Sequence, residues 1–307
     1  MRQAITLKVA LFVPPHNPAT VLLSRLAEVV RERSNQRLRL QICHSEALGT
    51  TAQHYDLACS GEADIAYMIH SATPGRFPLT ELAALAPVSD ALTATKALQS
   101  RVPAKLAEEH AGVKLLFLTA NMPMAIHSIH PLRRPDDLHG LRIGHTGRVA
   151  AATLTALGAI PVTVMPLAIR EALRSGAIEA TSMTHEAALV LKLADLVRCS
   201  YELNANTITF GLVMHPRSYQ TLAPDLQSII DAVLGQSAGL HLAAMLASAA
   251  EEGRQYLRDS GVSIVEPDAH DRHVLDVVAR DASEAFIAQL AGAHPCAPTV
   301  FAALKVT

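Results

Sequence analysis

The chain has 307 residues, half of them hydrophobic and 18% charged, with a formal net charge of −2, a balance that argues against nucleic-acid partners and disordered tails. Its length exceeds one core of roughly 100–200 residues and predicts two lobes or one large α/β unit. No run reads as the ~20 apolar residues of a membrane span, so the chain is expected not to be membrane-embedded. The four cysteines, Cys43, Cys59, Cys199 and Cys296, lie far apart without CxxC spacing and are read as buried thiols rather than metal ligands.

The opening ITLKVALFV (5–13) is a buried-strand run closed by Pro14, Pro15 and Pro18, with no basic and apolar leader pattern ahead of it. Leu22, Leu23, Leu26, Val29 and Val30 then recur at helical spacing. RLRLQIC (37–43) alternates as a second strand, Thr51 to Ser60 reads as a helix running into Gly61, and Ala63 to Met68 is a third strand. This β-α-β-α-β order marks a mostly parallel sheet with both faces covered. Helical patterns fill 80–111, and VKLLFLT (113–119) is a further strand.

A second alternating set follows: strands at 124–129, 141–144, 160–164 and 177–183, with helices over about 148–157 and 167–175. TITFGLVMH (207–215) is strand-like. From Pro224 to about Asp259 a helical pattern runs far beyond the ~3-turn mean. It is expected to span two lobes and to bend at Gly235 or Gly239. A short strand at 262–265 and a final helix from about Asp271 to Leu290 complete the chain.

Several stretches carry a resemblance to one family. They are LGTTAQHYDLACSGEADIAYMI (48–69) with TPGRFPLTELAALAP (73–87) after it, RRPDDLHGLRIG (133–144), ALGAIPVTVMPLAIREALRSGAIEA (156–180) and LAPDLQSIID (222–231). In order and spacing the chain resembles the DctP-type solute receptors of tripartite ATP-independent periplasmic (TRAP) transporters over nearly its whole length. The resemblance implies a two-lobed α/β fold of type II periplasmic binding proteins, with mixed sheets flanked by helices and a long helix spanning both lobes. Lobe I is expected over 1–121 plus about 211–250, and lobe II over 122–210 plus about 251–307. It implies a monomer that captures a small organic solute between the lobes, closes by hinge motion and delivers the solute to TRAP membrane subunits, with a sodium gradient driving uptake. Localisation is then periplasmic, with a leader removed, and no cofactor is implied.

The expected cleft departs from the family. Relatives carry a ligand-binding arginine after the Asp-Leu-x-Gly-Leu segment; that slot is Gly144 here, with Arg142 on the same strand face and His145 on the other. Nearby stand Asn121, Met122, Pro123 and Met124, and then Thr181, Ser182 and Met183. Methionines and small hydroxyls favour apolar burial, at about 25 cal/mol per Å². The solute is therefore expected to be an organic acid or an aromatic, weakly charged compound. His16, His70, His145, Arg148 and His185 are the candidate polar replacements: Arg148 reads equally as a solvated helix-start charge, each histidine taken singly reads more readily as a surface or structural side chain, and at least one of them is expected to touch the solute. Phe12, Tyr67 and Phe210 fall at strand ends and suit either core packing or stacking on a ligand ring.

Other function classes find less support. His127 and His130 face opposite sides of a strand and would not converge, while His270 with Asp271 and His273 opens a helix and could clamp an ion but reads more readily as a chance surface grouping, so neither set has confirming metal-site spacing. Ser182 and His185 are close in sequence but lack an orienting acid, and no phosphate loop, GxGxxG turn or nucleophile elbow is present, so an α/β enzyme is a remote alternative. A receptor domain of the same fold that feeds a signalling partner is the nearer alternative.

Overall fold

The computed structural model describes residues 4–85 and 90–305. Its strands form two sheets. The first, five-stranded, has the order β2-β1-β3-β10-β4, from β1 (Ile5–Leu11), β2 (Leu38–Cys43), β3 (Ile65–Ile69), β4 (Lys114–Ala120) and β10 (Thr209–Met214). The second, six-stranded, has the order β11-β9-β5-β8-β6-β7, from β5 (Ala125–Ser128), β6 (Arg142–His145), β7 (Ile160–Thr163), β8 (Ala180–Met183), β9 (Cys199–Tyr201) and β11 (Ser263–Val265). β1 runs parallel to β2 and β3, while β10, which follows β9 of the second sheet in the chain, inserts antiparallel between β3 and β4. β5 is likewise antiparallel to β8 and β9. Both sheets are therefore mixed, which the local β-α-β pattern alone does not reveal.

Helices cover the sheets: α1 (Pro18–Arg33), α2 (His54–Ser60), α3 (Ala91–Ser100), α4 (Pro103–Glu109), α5 (Arg148–Ala156), α6 (Ile169–Arg174), α7 (His185–Val190), α8 (Pro216–Gln220), α9 (Pro224–Leu234), α10 (Gln236–Asp259), α11 (Ala269–Ala291) and α12 (Ala297–Leu304). The helical stretch expected over 80–111 is a 3-10 segment at Thr80–Ala84 followed by α3 and α4, and residues 86–89 of it lie outside the described residues. Asn17 caps α1 by accepting from the Ala19 N–H, and Pro18 starts the helix, where its missing N–H costs nothing. Cys199 is buried, whereas Cys43, Cys59 and Cys296 are half-buried, so the expectation of four buried thiols holds for one.

The stretch from Pro224 to Asp259 is interrupted once, at Gly235, and continues regularly through Gly239. Taken together it is long and apolar enough to cross a membrane by length and composition, where the sequence reading found no such run. Its apolar side turns inward: Ala238, Leu242 and Leu246 join the core of the first sheet with Leu22, Leu23 and Tyr67. Farther along, Leu257 packs with Ile178, Leu193 and Val197 beside the second sheet. α10 thus contacts the cores of both sheets. α12 packs with the 3-10 segment at Thr80–Ala84 and with α3.

Two irregular segments also run between the sheets. Asn121–Met124 and Asn204–Ile208 are bonded to each other, with the Asn121 N–H donating to the Ile208 carbonyl at 2.9 Å, the Met124 N–H to Asn206 at 2.9 Å and the Asn204 N–H to Met124 at 3.1 Å. The Thr207 hydroxyl adds a bond to the Asn121 carbonyl at 2.7 Å.

Candidate functional site

A partly open cavity lies between the two sheets where β1, β3, β6 and β8 end, the place open α/β sheets offer to ligands. It measures about 90 Å³ in space open to the centres of water-sized spheres. At 10–15 Å³ per water that is room for roughly six waters or more, the size of a small ring. The first sheet contributes Phe12, Tyr67 and Phe210, whose rings stack: Phe12 on Tyr67 at 5.5 Å and 4°, Tyr67 on Phe210 at 5.3 Å and 21°. Met124 and Ile208 enter from the crossing segments, and Ser182, Met183 and Thr184 from the end of β8. Leu246 of α10 closes one wall.

The polar feature is a carboxyl. Glu186, in the first turn of α7, is 3% exposed and lines the cavity. Its Oε1 accepts from Asn17 Nδ2 at 2.8 Å, and its Oε2 accepts from Thr184 Oγ1 at 3.3 Å and Asn121 Nδ2 at 3.4 Å. Burial pushes its pKa up, and the bonds from Asn121, Thr184 and Asn17 oppose that shift. Burial, with the Glu186 charge adding to it, also holds the Tyr67 phenol well above its usual value. No arginine, lysine or histidine among the described residues lines this cavity.

Of the residues singled out from sequence, Phe12, Tyr67, Asn121, Met124, Ser182, Met183 and Phe210 meet here. The others stand elsewhere. Gly144 is buried within β6, and the space its side chain would enter is filled by Ile178, whose Cδ1 would lie 2.6 Å from a Cβ at 144. His145 bonds the Gly147 carbonyl at 2.9 Å, and burial lowers its pKa. Arg148 pairs with the buried Glu81 and lies 5.0 Å over the Phe286 ring. His70 is sealed between His110 and Thr209; burial, then the neighbouring His110, pushes its pKa down to about 3. His16 is exposed and bonds the Val190 carbonyl at 3.2 Å, beside the cavity.

His185 and Met122 belong to a second, more open cleft of about 340 Å³. There His185 faces Glu202 at 3.0 Å, and Arg254 pairs with Glu202 and Glu266. That cleft is the more open of the two and is lined by several charged side chains, whereas the smaller cavity is lined mainly by apolar groups from both sheets and has the better claim to a small organic solute.

Sequence reasoning passed over Glu186 and Asn17. An acid two residues after Thr184 reads as the ordinary complement of a helix N-terminus, and Asn17 reads as a cap, which it also is.

Residues 9–289 match the model of the bacterial extracellular solute-binding protein family 7, DctP, and the chain belongs to that family. Among solved structures, a marine metagenome TRAP solute-binding protein specific for aromatic acids, in complex with 3-hydroxybenzoate, superposes with a TM-score of 0.94 at 22% identity, covering 99% of this chain and 97% of that one. A TRAP solute-binding protein of Rhodoferax ferrireducens with copurified benzoate gives 0.90 at 26%, with 98% of each chain covered. A Bordetella pertussis extracytoplasmic solute receptor binding pyroglutamic acid gives 0.88 at 17%, covering 97% of this chain and 99% of that one. The fold is that of a TRAP receptor with two mixed sheets and a long helix. The protein is a small-solute receptor of an extracytoplasmic family that works with membrane transporter subunits.

Proposed function

We propose that the protein is a monomeric periplasmic receptor that encloses a ring-bearing organic solute in the Phe12–Tyr67–Phe210 cavity and hands it to TRAP membrane subunits without chemical change. In this reading one lobe is built on the sheet of β1 to β4 with β10, and the other on the sheet of β5 to β9 with β11. The paired segments 121–124 and 204–208 serve as the hinge, with α10 as a strap across both lobes. The observation that carries it is the cavity lined from both sheets, with stacked rings on one wall. The aromatic ligands of the 3-hydroxybenzoate and benzoate receptors support a ring of that size.

The test is a thermal-shift screen of aromatic acids, amines, amides and neutral heterocycles on the parent chain and on Ala187→Phe, which fills the cavity from α7. A bound solute at 100 times its Kd adds ~2.7 kcal/mol, enough to raise Tm by several degrees. At least one solute is expected to stabilise the parent and not the variant. Equal shifts in both, or none in either, would remove the cavity from this role.

A further inference from the structure

The polar end of the cavity specifies a charge, and the inference from it rests on the receptor reading above. The two amides that face Glu186 are not free to turn. Asn17 Oδ1 is held by the Ala19 N–H at 2.9 Å, and Asn121 Oδ1 by the Met122 N–H at 2.8 Å. Each amide therefore points its NH2 at the carboxyl. With the Thr184 hydroxyl, three donors converge on the two oxygens and work toward the ionised form, against the burial that pushes the pKa up. A carboxylate offers about four acceptor sites, so one is left for a ligand.

The carboxylate so prepared has no counter-charge. A buried anion is costly unless it is paired, and the cavity lining supplies neither Arg, Lys nor His among the described residues. An anionic solute would add a second negative charge to the same small space. The slot from which relatives are expected to offer an arginine is closed by Ile178 over Gly144. The aromatic wall works in the same direction as Glu186, because ring quadrupoles attract a nearby cation.

We infer that the solute is a small organic cation, a protonated primary or secondary amine whose N–H groups bond Glu186 while its apolar body lies against Phe12, Tyr67 and Phe210. The missing positive charge of the site arrives with the ligand. Burying a free carboxylate then becomes a source of selectivity, since neutral and anionic analogues of the same shape leave Glu186 without its partner.

The experiment is isothermal titration of the full chain with three probes of one shape, benzylamine, benzamide and benzoate, repeated on Glu186→Gln. Benzylamine is expected to bind the parent at least 10-fold more tightly than benzoate, and Glu186→Gln to bring that ratio to one or below. Benzoate binding as tightly as benzylamine, or benzamide in first place, overturns the charge assignment and leaves the receptor reading intact. An amine preference that survives Glu186→Gln overturns the role of Glu186. If Glu186→Gln does not fold, the ranking of the three probes on the parent decides alone. Absence of binding across amines, amides and acids overturns both this inference and the receptor reading.

Discussion

Gly253 of α10 lies against the carbonyl of His185 so closely that a Cβ at 253 would stand 2.1 Å from that oxygen and 3.1 Å from the Glu186 nitrogen. The obstacle is backbone, which cannot swing aside as a side chain can. The helix that straps the two sheets is thus seated directly on the first turn of α7, one residue from the carboxyl that faces the cavity.

Gly253→Ala tests this seat. Helix propensity alone would favour Ala by ~1 kcal/mol, but the enforced separation of α10 and α7 should cost ~1–3 kcal/mol or more. The expected outcome is a lower urea midpoint and weaker solute binding as Glu186 moves off Asn17 and Asn121. A midpoint above that of the parent would show that the contact is looser than described.

Restoring an arginine at position 144 should not by itself create a carboxylate site. Even Gly144→Ala presses on Ile178, which is fully buried, and is expected to cost ~1–3 kcal/mol. Gly144→Arg should be less stable still, and Gly144→Arg with Ile178→Ala should recover part of the loss. Denaturant midpoints of the three variants check the order.

The stacked rings should contribute to binding more than to folding. Phe210→Leu keeps most of the apolar volume of a residue that is 8% exposed and removes one stacking face, worth about 0.5–1.5 kcal/mol. A ring-bearing solute should lose up to roughly 10-fold in affinity. Tyr67→Phe should leave stacking intact. Calorimetric titration of both variants separates ring from hydroxyl.

Burial, then the nearby His185, pushes the pKa of His127 down to about 3, and burial does the same for His70. In the unfolded chain both titrate near the usual histidine value, so the unfolded state binds more protons between about pH 6.5 and 3. Their stabilisation is full above that window and falls as pH drops through it, by up to about 2.7 kcal/mol per pH unit for the pair. Glu81, Glu109 and Glu186, with raised pKa values, act in the opposite sense and flatten the total. His127→Leu isolates one histidine: its stability-versus-pH slope in acid should be shallower than the parent's by about 1.4 kcal/mol per unit.

The Arg148–Glu81 pair joins the start of α5 to the 3-10 segment before α3, beside the cavity wall at Thr146. Glu81 is nearly buried while the Arg148 side chain is 35% exposed, so the value of the pair is discounted for solvent. Arg148→Ala should cost ~1–3 kcal/mol, because it strands a buried carboxyl, and Glu81→Gln less. A double-mutant cycle in urea measures the coupling.

Much of the framework is legible in the sequence because local pattern determines it: β1, β3 and β10 sit where the apolar runs place them, and the ordered motifs specify the family. The cavity is less legible. Met122 and Met124 alternate as if on one strand face, but segment 121–124 is irregular, so only Met124 reaches the cavity and Met122 turns to the second cleft. His70 looks like a cleft residue at the end of β3, yet its partners are His110 and Thr209, which only the tertiary fold brings to it. Asn17 and Glu186 stand 169 positions apart, and no local signal joins a helix cap to an acid in another helix's first turn.

That last bond sets a kinetic condition. Asn17 belongs to the layer of the first sheet and Glu186 to that of the second, so in the proposed hinged receptor parting the sheets to admit a solute would break their bond and let water take the place of the amide. Entry would be gated by the frequency with which this bond opens, and a solute that replaces the water with its own donor would lengthen the closed interval. The dwell time of the closed receptor, more than its encounter rate, would then decide which molecules reach the membrane.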